Sequence, residues 1–466
     1  MLFSSITFLY YFLPVVLFLY YLLPACLKNP WLLLASLFFY GWGEPVFVLF
    51  MMIAILFAYT AGILIEKYRK STKGRWIFIF AVVCSVGYLG VFKYTDFFLE
   101  NLNRFAGLNL PLPGIGLPIG ISFYTFQLLS YLIDVYRGDG RAKKNIISFA
   151  LYISMFPQLI AGPIVRYTDI DRQLDEREIH LYYLGEGMGR FVIGLSKKVL
   201  LANPLGEFCE IVKVSSDLSV LYLWLYGICY ALHIYFDFSG YSDMAIGLGK
   251  MLGFDFMENF HYPYISKSIS EFWRRWHMSL GSWFRDYVYI PLGGNRVPLK
   301  RFCLNIFIVW FLTGFWHGAG WNFILWGLYF GVLLVIEKFW LTKYLEKGRG
   351  WNHFYVLFFI IISFVIFDGT DGSKLIYYLK AMFGGAGLPF LSKEMLYYTR
   401  HYGVLILTAC IAALPLGKNV YLKMKESMGN KKWFEIIESA GLILLFVIAT
   451  AYLVDGSFNP FLYFRF

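Results

Sequence analysis

Charge is scarce in this sequence. Asp, Glu, Lys and Arg make up 15% of its 466 residues, against about 25% in soluble proteins. The apolar set AVILMFWYC reaches 59%, where soluble chains hold about 45–50% of a wider set that includes Gly. Such a mixture cannot clothe a core in a wetted surface. A disordered chain, a coiled coil and an ordinary cytosolic enzyme are all excluded. Cysteine is sparse too: Cys26, Cys84, Cys209, Cys229, Cys303 and Cys410 are scattered, with no CxxC pair and no metal-ligand spacing. Neither a disulfide framework nor a metal site is expected. A serine elbow, a P-loop and a paired-carboxylate motif are equally absent.

What the sequence does have is uncharged length. Eleven runs of spanning or near-spanning length follow one another: Ile6–Ala25, Val46–Ile65, Trp76–Phe92, Leu117–Ile133, Ile146–Val165, Leu218–Phe236, Phe302–Trp316, Phe323–Ile336, Phe354–Phe367, Val404–Pro415 and Ala440–Val454. They predict an all-α polytopic membrane protein in which each helix satisfies its own backbone. The first run has no basic residue before it and no small-residue cleavage pattern after it, so it is expected to be a retained span rather than a signal peptide. The pattern holds no repeat and no soluble module; a single membrane-embedded domain over residues 1–466 is the simplest organisation.

The net charge of +11 would suggest nucleic acid in a soluble protein. Here the basic residues sit between apolar runs, where they set orientation. Lys67–Arg75, Arg137–Lys144 and Lys418–Lys432 are therefore predicted to be cytoplasmic, and the turn at Asp368–Asp371 to lie outside. Residues 166–200 and 262–301 mix charges with aromatics and are too polar to face lipid. They should be interfacial helices or helices shielded by protein.

His317 interrupts the otherwise uncharged stretch from Phe302 to Ile336, in Gly314-Phe-Trp-His-Gly-Ala-Gly-Trp321. Both flanks are basic, so the turn should point away from the cytosol. Fifteen residues from Phe302 rise about 22 Å, placing the imidazole at membrane depth. There it is either functional or a neutral histidine bonded across helices. His277 follows Glu271-Phe-Trp-Arg-Arg-Trp276, where Glu271 and Arg275 form an i,i+4 pair if helical; an aromatic and basic interfacial belt is the alternative. Asp237 and Asp243, with Ser239 and Ser242, could cap the helix that follows. A neutral imidazole can take a proton from a hydroxyl attacking an activated acyl group, with backbone N–H groups near Gly318 or an indole N–H receiving the oxyanion. Acyl transfer and proton relay both fit.

Several blocks in this order resemble one family. They are Met1-Leu-Phe-Ser-Ser5, Pro118-Ile-Gly-Ile-Ser-Phe-Tyr124, Tyr131-Leu-Ile-Asp-Val-Tyr-Arg-Gly138, Ile160-Ala-Gly-Pro163, Tyr235-Phe-Asp-Phe-Ser-Gly-Tyr-Ser-Asp-Met-Ala-Ile-Gly247, Glu258-Asn-Phe260, Glu271-Phe-Trp-Arg-Arg-Trp-His-Met-Ser-Leu280, Trp283-Phe-Arg-Asp-Tyr287, Leu292-Gly-Gly-Asn-Arg296 and Trp316-His-Gly-Ala319. The chain resembles the membrane-bound O-acyltransferases, in their bacterial alginate O-acetyltransferase branch. The resemblance implies about 11 transmembrane helices, with re-entrant or interfacial helices, around a central funnel and a core at roughly residues 115–350. It implies His317 as the catalytic histidine and His277 as its companion. Arg274, Arg275, Trp316 and Asp237 become candidate substrate contacts, and Lys197 and Lys198 candidate phosphate contacts. No permanently bound cofactor is implied. The acyl donor would be cytosolic acetyl-CoA, and the receiver an SGNH-type acetyltransferase outside a bacterial plasma membrane, acting on an exopolysaccharide. The rivals are a D-alanyl transferase for teichoic acid and a non-enzymatic polysaccharide-export or proton-transport component.

Overall fold

Lipid offers backbone groups no partners, so apolar segments must fold into helices that close their own hydrogen bonds. The computed structural model, which describes residues 1–160, 162–428, 432–456 and 458–459, is helical throughout, with no strand among the described residues. Ala161 of the Ile160–Pro163 block, Lys431 and the side chain of Lys432 lie outside the described residues. Seven helices are long and apolar enough to cross a membrane: Phe47–Tyr68, Thr72–Ala106, Val220–Met251, Leu299–His317, Trp321–Glu346, Trp351–Asp368 and Trp433–Asp455. An eighth span results if Lys393–Ala412 and Leu416–Met428, bent by 59°, cross together. The protein is a multi-pass membrane protein.

Three of the eleven apolar runs become shorter elements. The first forms an apolar helix over Phe8–Leu22, and the fourth a 17-residue helix, Ile121–Arg137. The fifth, Ile146–Val165, breaks at Met155 into Ile146–Ser154 and Phe156–Leu159. Pro157 cannot donate the bond a continuing helix needs, and the Phe156 N–H donates instead to Ser36 Oγ at 3.1 Å. One helix, Ala25–Gly43, had no matching run because Lys28, Asn29 and Pro30 punctuate its start. Its polar first turns are satisfied internally: Asn29 Nδ2 donates to Leu174 O and Arg177 Nη1 to Asn29 Oδ1, both at 2.7 Å.

The chain divides into two compact units, Met1–Phe191 with Met244–Met257, and Val192–Asp243 with Glu258–Phe466. In the first, two of the basic segments meet at one end. Ala142 N–H donates to Glu66 Oε1 at 3.2 Å, and Tyr59 O–H donates to Lys144 O at 2.6 Å. That is the arrangement expected of two loops on one side of a membrane. Lys143, however, is not an open loop charge. It is buried between Asp171 and Asp175, each 2.7 Å away, and anchors the Tyr167–Asp175 helix.

In the second unit, Leu299–His317 and Trp321–Ile336 form a tight hairpin. Small residues set its closeness, as membrane helix pairs commonly require. A Cβ on Gly314 would lie 2.3 Å from Phe323 O, and one on Gly327 2.2 Å from Trp310 O. The first helix is longer than its apolar run because Lys300 and Arg301 fall in its first turn. Its 19 residues rise about 28 Å rather than ~22 Å, so His317 ends a helix of nearly full membrane length. The Trp351–Asp368 helix is fastened to that end by Asn322 Nδ2, which donates to Phe367 O at 2.7 Å. Lys213 closes on Asp368 at 2.7 Å.

Candidate active site

The site lies wholly within the second unit and starts from two helix breaks. His317 is the last residue of its helix, and Gly318 leaves in an extended conformation. A Cβ on Gly318 would collide with the Phe323 ring at 2.2 Å, so the glycine is needed for the chain to turn here. The imidazole is 9% exposed and walled by aromatic rings. Ring centroids lie 5.0 Å away for Trp316, 5.0 Å for Trp326 and 5.4 Å for Phe367.

His277 lies at the break between the short helices Ile269–Arg275 and Met278–Phe284. Its backbone is left-handed, φ 46° and ψ 52°, a conformation that costs an L-residue about 1–3 kcal/mol and persists only where neighbours impose it. The neighbours are visible. His261 N–H donates to Arg275 O at 2.9 Å and Met278 N–H to Asn259 O at 3.0 Å, so the 259–261 segment holds both sides of the break. Further support comes from Glu337, buried at the end of the hairpin. Its carboxylate accepts from the backbone N–H groups of Ile269 and Ser270 and from Ser270 Oγ, capping the helix that leads to His277.

The His277 side chain is 1% exposed. Its Nδ1 is 3.1 Å from Asn259 Oδ1, and the Phe238 ring is edge-on at 4.6 Å. Trp316 joins the two histidines: its ring is 6.0 Å from His277 as well as 5.0 Å from His317. The imidazoles are within electrostatic reach of each other. Two indole N–H groups in the same aromatic cluster, those of Trp273 and Trp326, are buried without an acceptor, and Trp273 stacks edgewise on Trp326 at 5.5 Å. A buried donor without a partner costs about 1–3 kcal/mol. Donors left that way near an ionisable group, as Trp326 is at 5.0 Å from His317 with Trp273 packed in turn on Trp326, are suited to receive charge that develops only during a reaction.

Of the residues singled out from sequence, the structure brings His277, Trp316 and His317 together. Arg275 is engaged elsewhere, with Glu271 at 2.8 Å and with His261 Nδ1 at 2.9 Å. Arg274 beside it is exposed. Asp237 and Asp243 do not cap a following helix: Val220–Met251 runs unbroken through both. Asp237 is buried against Lys198, and Asp243 pairs with Lys197 at 2.6 Å. The two lysines sit in a π-helical turn, Lys197–Ala202, a widening common at functional sites. Asn259, Glu337, Trp273 and Trp326 were not singled out. Only the pairing of partners far apart in sequence gives them meaning. Among the described residues no group of His, Cys, Asp and Glu could hold a metal ion.

The model of the membrane-bound O-acyltransferase family matches residues 141–378, a span holding every residue of the site. The chain is 39% identical to a probable alginate O-acetylase of Azotobacter vinelandii over 100% of both chains. It is 46% identical to a protein of the same description from Pseudomonas aeruginosa, over 72% of this chain and 66% of that one. A peptidoglycan O-acetyltransferase of Helicobacter pylori is 33% identical over 100% of this chain and 98% of its own. With half its length matched by the family model and relatives aligned from end to end, the chain belongs to the membrane-bound O-acyltransferase family of enzymes.

Proposed function

We propose that this enzyme takes an acetyl group from cytosolic acetyl-CoA and passes it through the membrane to an acetyltransferase outside, which esterifies an alginate-like exopolysaccharide. The observation that carries the reading is the buried histidine pair joined by Trp316, in a chain aligned throughout with a probable alginate O-acetylase. His317 is the catalytic histidine and His277 its companion. A neutral imidazole takes the proton of the acceptor hydroxyl as its oxygen attacks the acetyl carbon; the carbon–sulfur bond breaks, and the proton leaves with the thiolate. The indole N–H groups of Trp273 and Trp326 receive the oxyanion. Arg274, exposed beside the site, is the residue available to an anionic donor. The full-length match to a peptidoglycan O-acetyltransferase supports a second reading, in which the polymer is peptidoglycan.

Membranes carrying the protein, given acetyl-CoA, should release CoA slowly, and cells carrying it should gain acetyl esters on one of the two polymers. A preference for a D-alanyl donor, or no thioester turnover at all, would overturn the acetyl reading. Esters on peptidoglycan with none on alginate would select the second polymer.

A further inference from the structure

Asn259 is the least conspicuous residue at the site and the one whose geometry says most. Its Oδ1 accepts from the Ser279 backbone N–H at 3.2 Å and from Ser279 Oγ at 2.9 Å. A main-chain N–H can only donate, so the atom it meets must be the amide oxygen, and the orientation of the Asn259 side chain is fixed. That same oxygen faces His277 Nδ1 at 3.1 Å. An amide oxygen can only accept, and the other polar neighbour of Nδ1, Ser279 Oγ at 3.5 Å, donates to that same oxygen at 2.9 Å, so the proton of this contact belongs on Nδ1. In a neutral imidazole one nitrogen donates and the other accepts. The lone pair therefore sits on Nε2, which is buried and has no hydrogen-bond partner.

We propose that Asn259 is a positioning residue of the active site, locking His277 in the Nδ1–H tautomer so that it meets the reacting groups only as a hydrogen-bond acceptor, through Nε2. The inference rests on the histidine pair being the active centre. Further contacts around His277 support this arrangement. The left-handed backbone turns the ring back toward the 259–261 segment, Met278 N–H bonds to Asn259 O, and Phe238 fixes the ring plane from the side at 4.6 Å. The titratable group that acts electrostatically on His277 is His317, on the other side of the shared Trp316 ring. Carboxylates, which orient histidines in many enzymes, are replaced here by a neutral amide. A neutral partner sets the tautomer without pulling the imidazole toward its charged form, which could not accept at Nε2.

The test reads tautomer and function separately. In protein labelled with ¹⁵N-histidine, the His277 resonances, assigned by their loss in His277→Gln, should show a protonated Nδ1 and a bare Nε2. Asn259→Leu should mix the tautomers and lower acetyl-CoA turnover at least tenfold, chiefly in kcat. Asn259→Asp keeps the acceptor and should retain the tautomer, but its negative charge favours the imidazolium, so the acidic limb of the pH–rate profile should move to higher pH. His277→Gln, which still offers an acceptor oxygen, should keep more activity than His277→Lys, which offers only donors. A bare Nδ1 in the wild type, or Asn259→Leu with wild-type turnover while His277→Lys and His317→Ala are inactive, would overturn the role of Asn259 alone. Wild-type turnover in His317→Ala and His277→Lys together would overturn the active-site reading itself.

Discussion

At the scale of single residues, two histidines are set apart by what surrounds them rather than by what they are. His233 shows the contrast: it is buried too, but its Nδ1 meets a main-chain carbonyl, Ala202 O at 2.8 Å. His277 has its second nitrogen bare, and His317 stands where a helix ends against three aromatic rings. His317→Ala should reduce acetyl-CoA turnover by about 10² to 10⁴-fold, the range for a lost general base, with membrane levels near wild type, as measured on purified protein. Unchanged turnover would remove His317 from the chemistry. His317 was readable in the sequence because one imidazole interrupts a long uncharged stretch, and the Trp-His-Gly motif gave it a role. Asn259 was not readable. Its importance comes from meeting Ser279 and His277, some twenty residues away, through a loop whose path no periodicity announces.

At the scale of elements, the site depends on a capping contact between segments distant in sequence. Glu337 follows directly on an apolar run ending at Ile336 and reads in the sequence as an ordinary interfacial charge. In the structure it accepts from the first N–H groups of Ile269–Arg275, so the hairpin that carries His317 also orients the helix that leads to His277. Glu337→Ala should leave those donors buried and unmet, at a cost of about 1–3 kcal/mol each. The expected result is a lowered thermal midpoint and a loss of activity much larger than in Glu337→Gln, which keeps one acceptor oxygen. Equal activity of the two variants would remove the cap from the account. The helices themselves were largely legible, since each of the eleven runs corresponds to helical structure. Their breaks were less so. Pro157 and the polar start of Ala25–Gly43 matter through partners, Ser36, Leu174 and Arg177, that only the folded chain supplies. Asp237 and Asp243 read as caps because serines flank them; in the structure each lies within a continuous helix and pairs with a lysine instead.

At the scale of the whole molecule, orientation and transport have to agree. The basic segments 67–75, 137–144 and 417–432 should be cytoplasmic, and residues 368–371 outside. Single cysteines placed there, in a chain lacking the native six, should be protected from or open to an impermeant maleimide in intact cells accordingly. Labelling of the 417–432 segment before lysis would reverse the orientation. With that orientation, His317 would stand at the outer end of its helix, and the proposed cytosolic donor would require acetyl to cross within the protein. The central claim is this His317-dependent passage. It is tested most directly in sealed proteoliposomes of defined orientation, with acetyl-labelled CoA on the cytosolic side only and an SGNH-type acetyltransferase on the other. The account predicts label on the serine of that acetyltransferase with the wild-type chain and none with His317→Ala. Label arriving equally with both chains would contradict it.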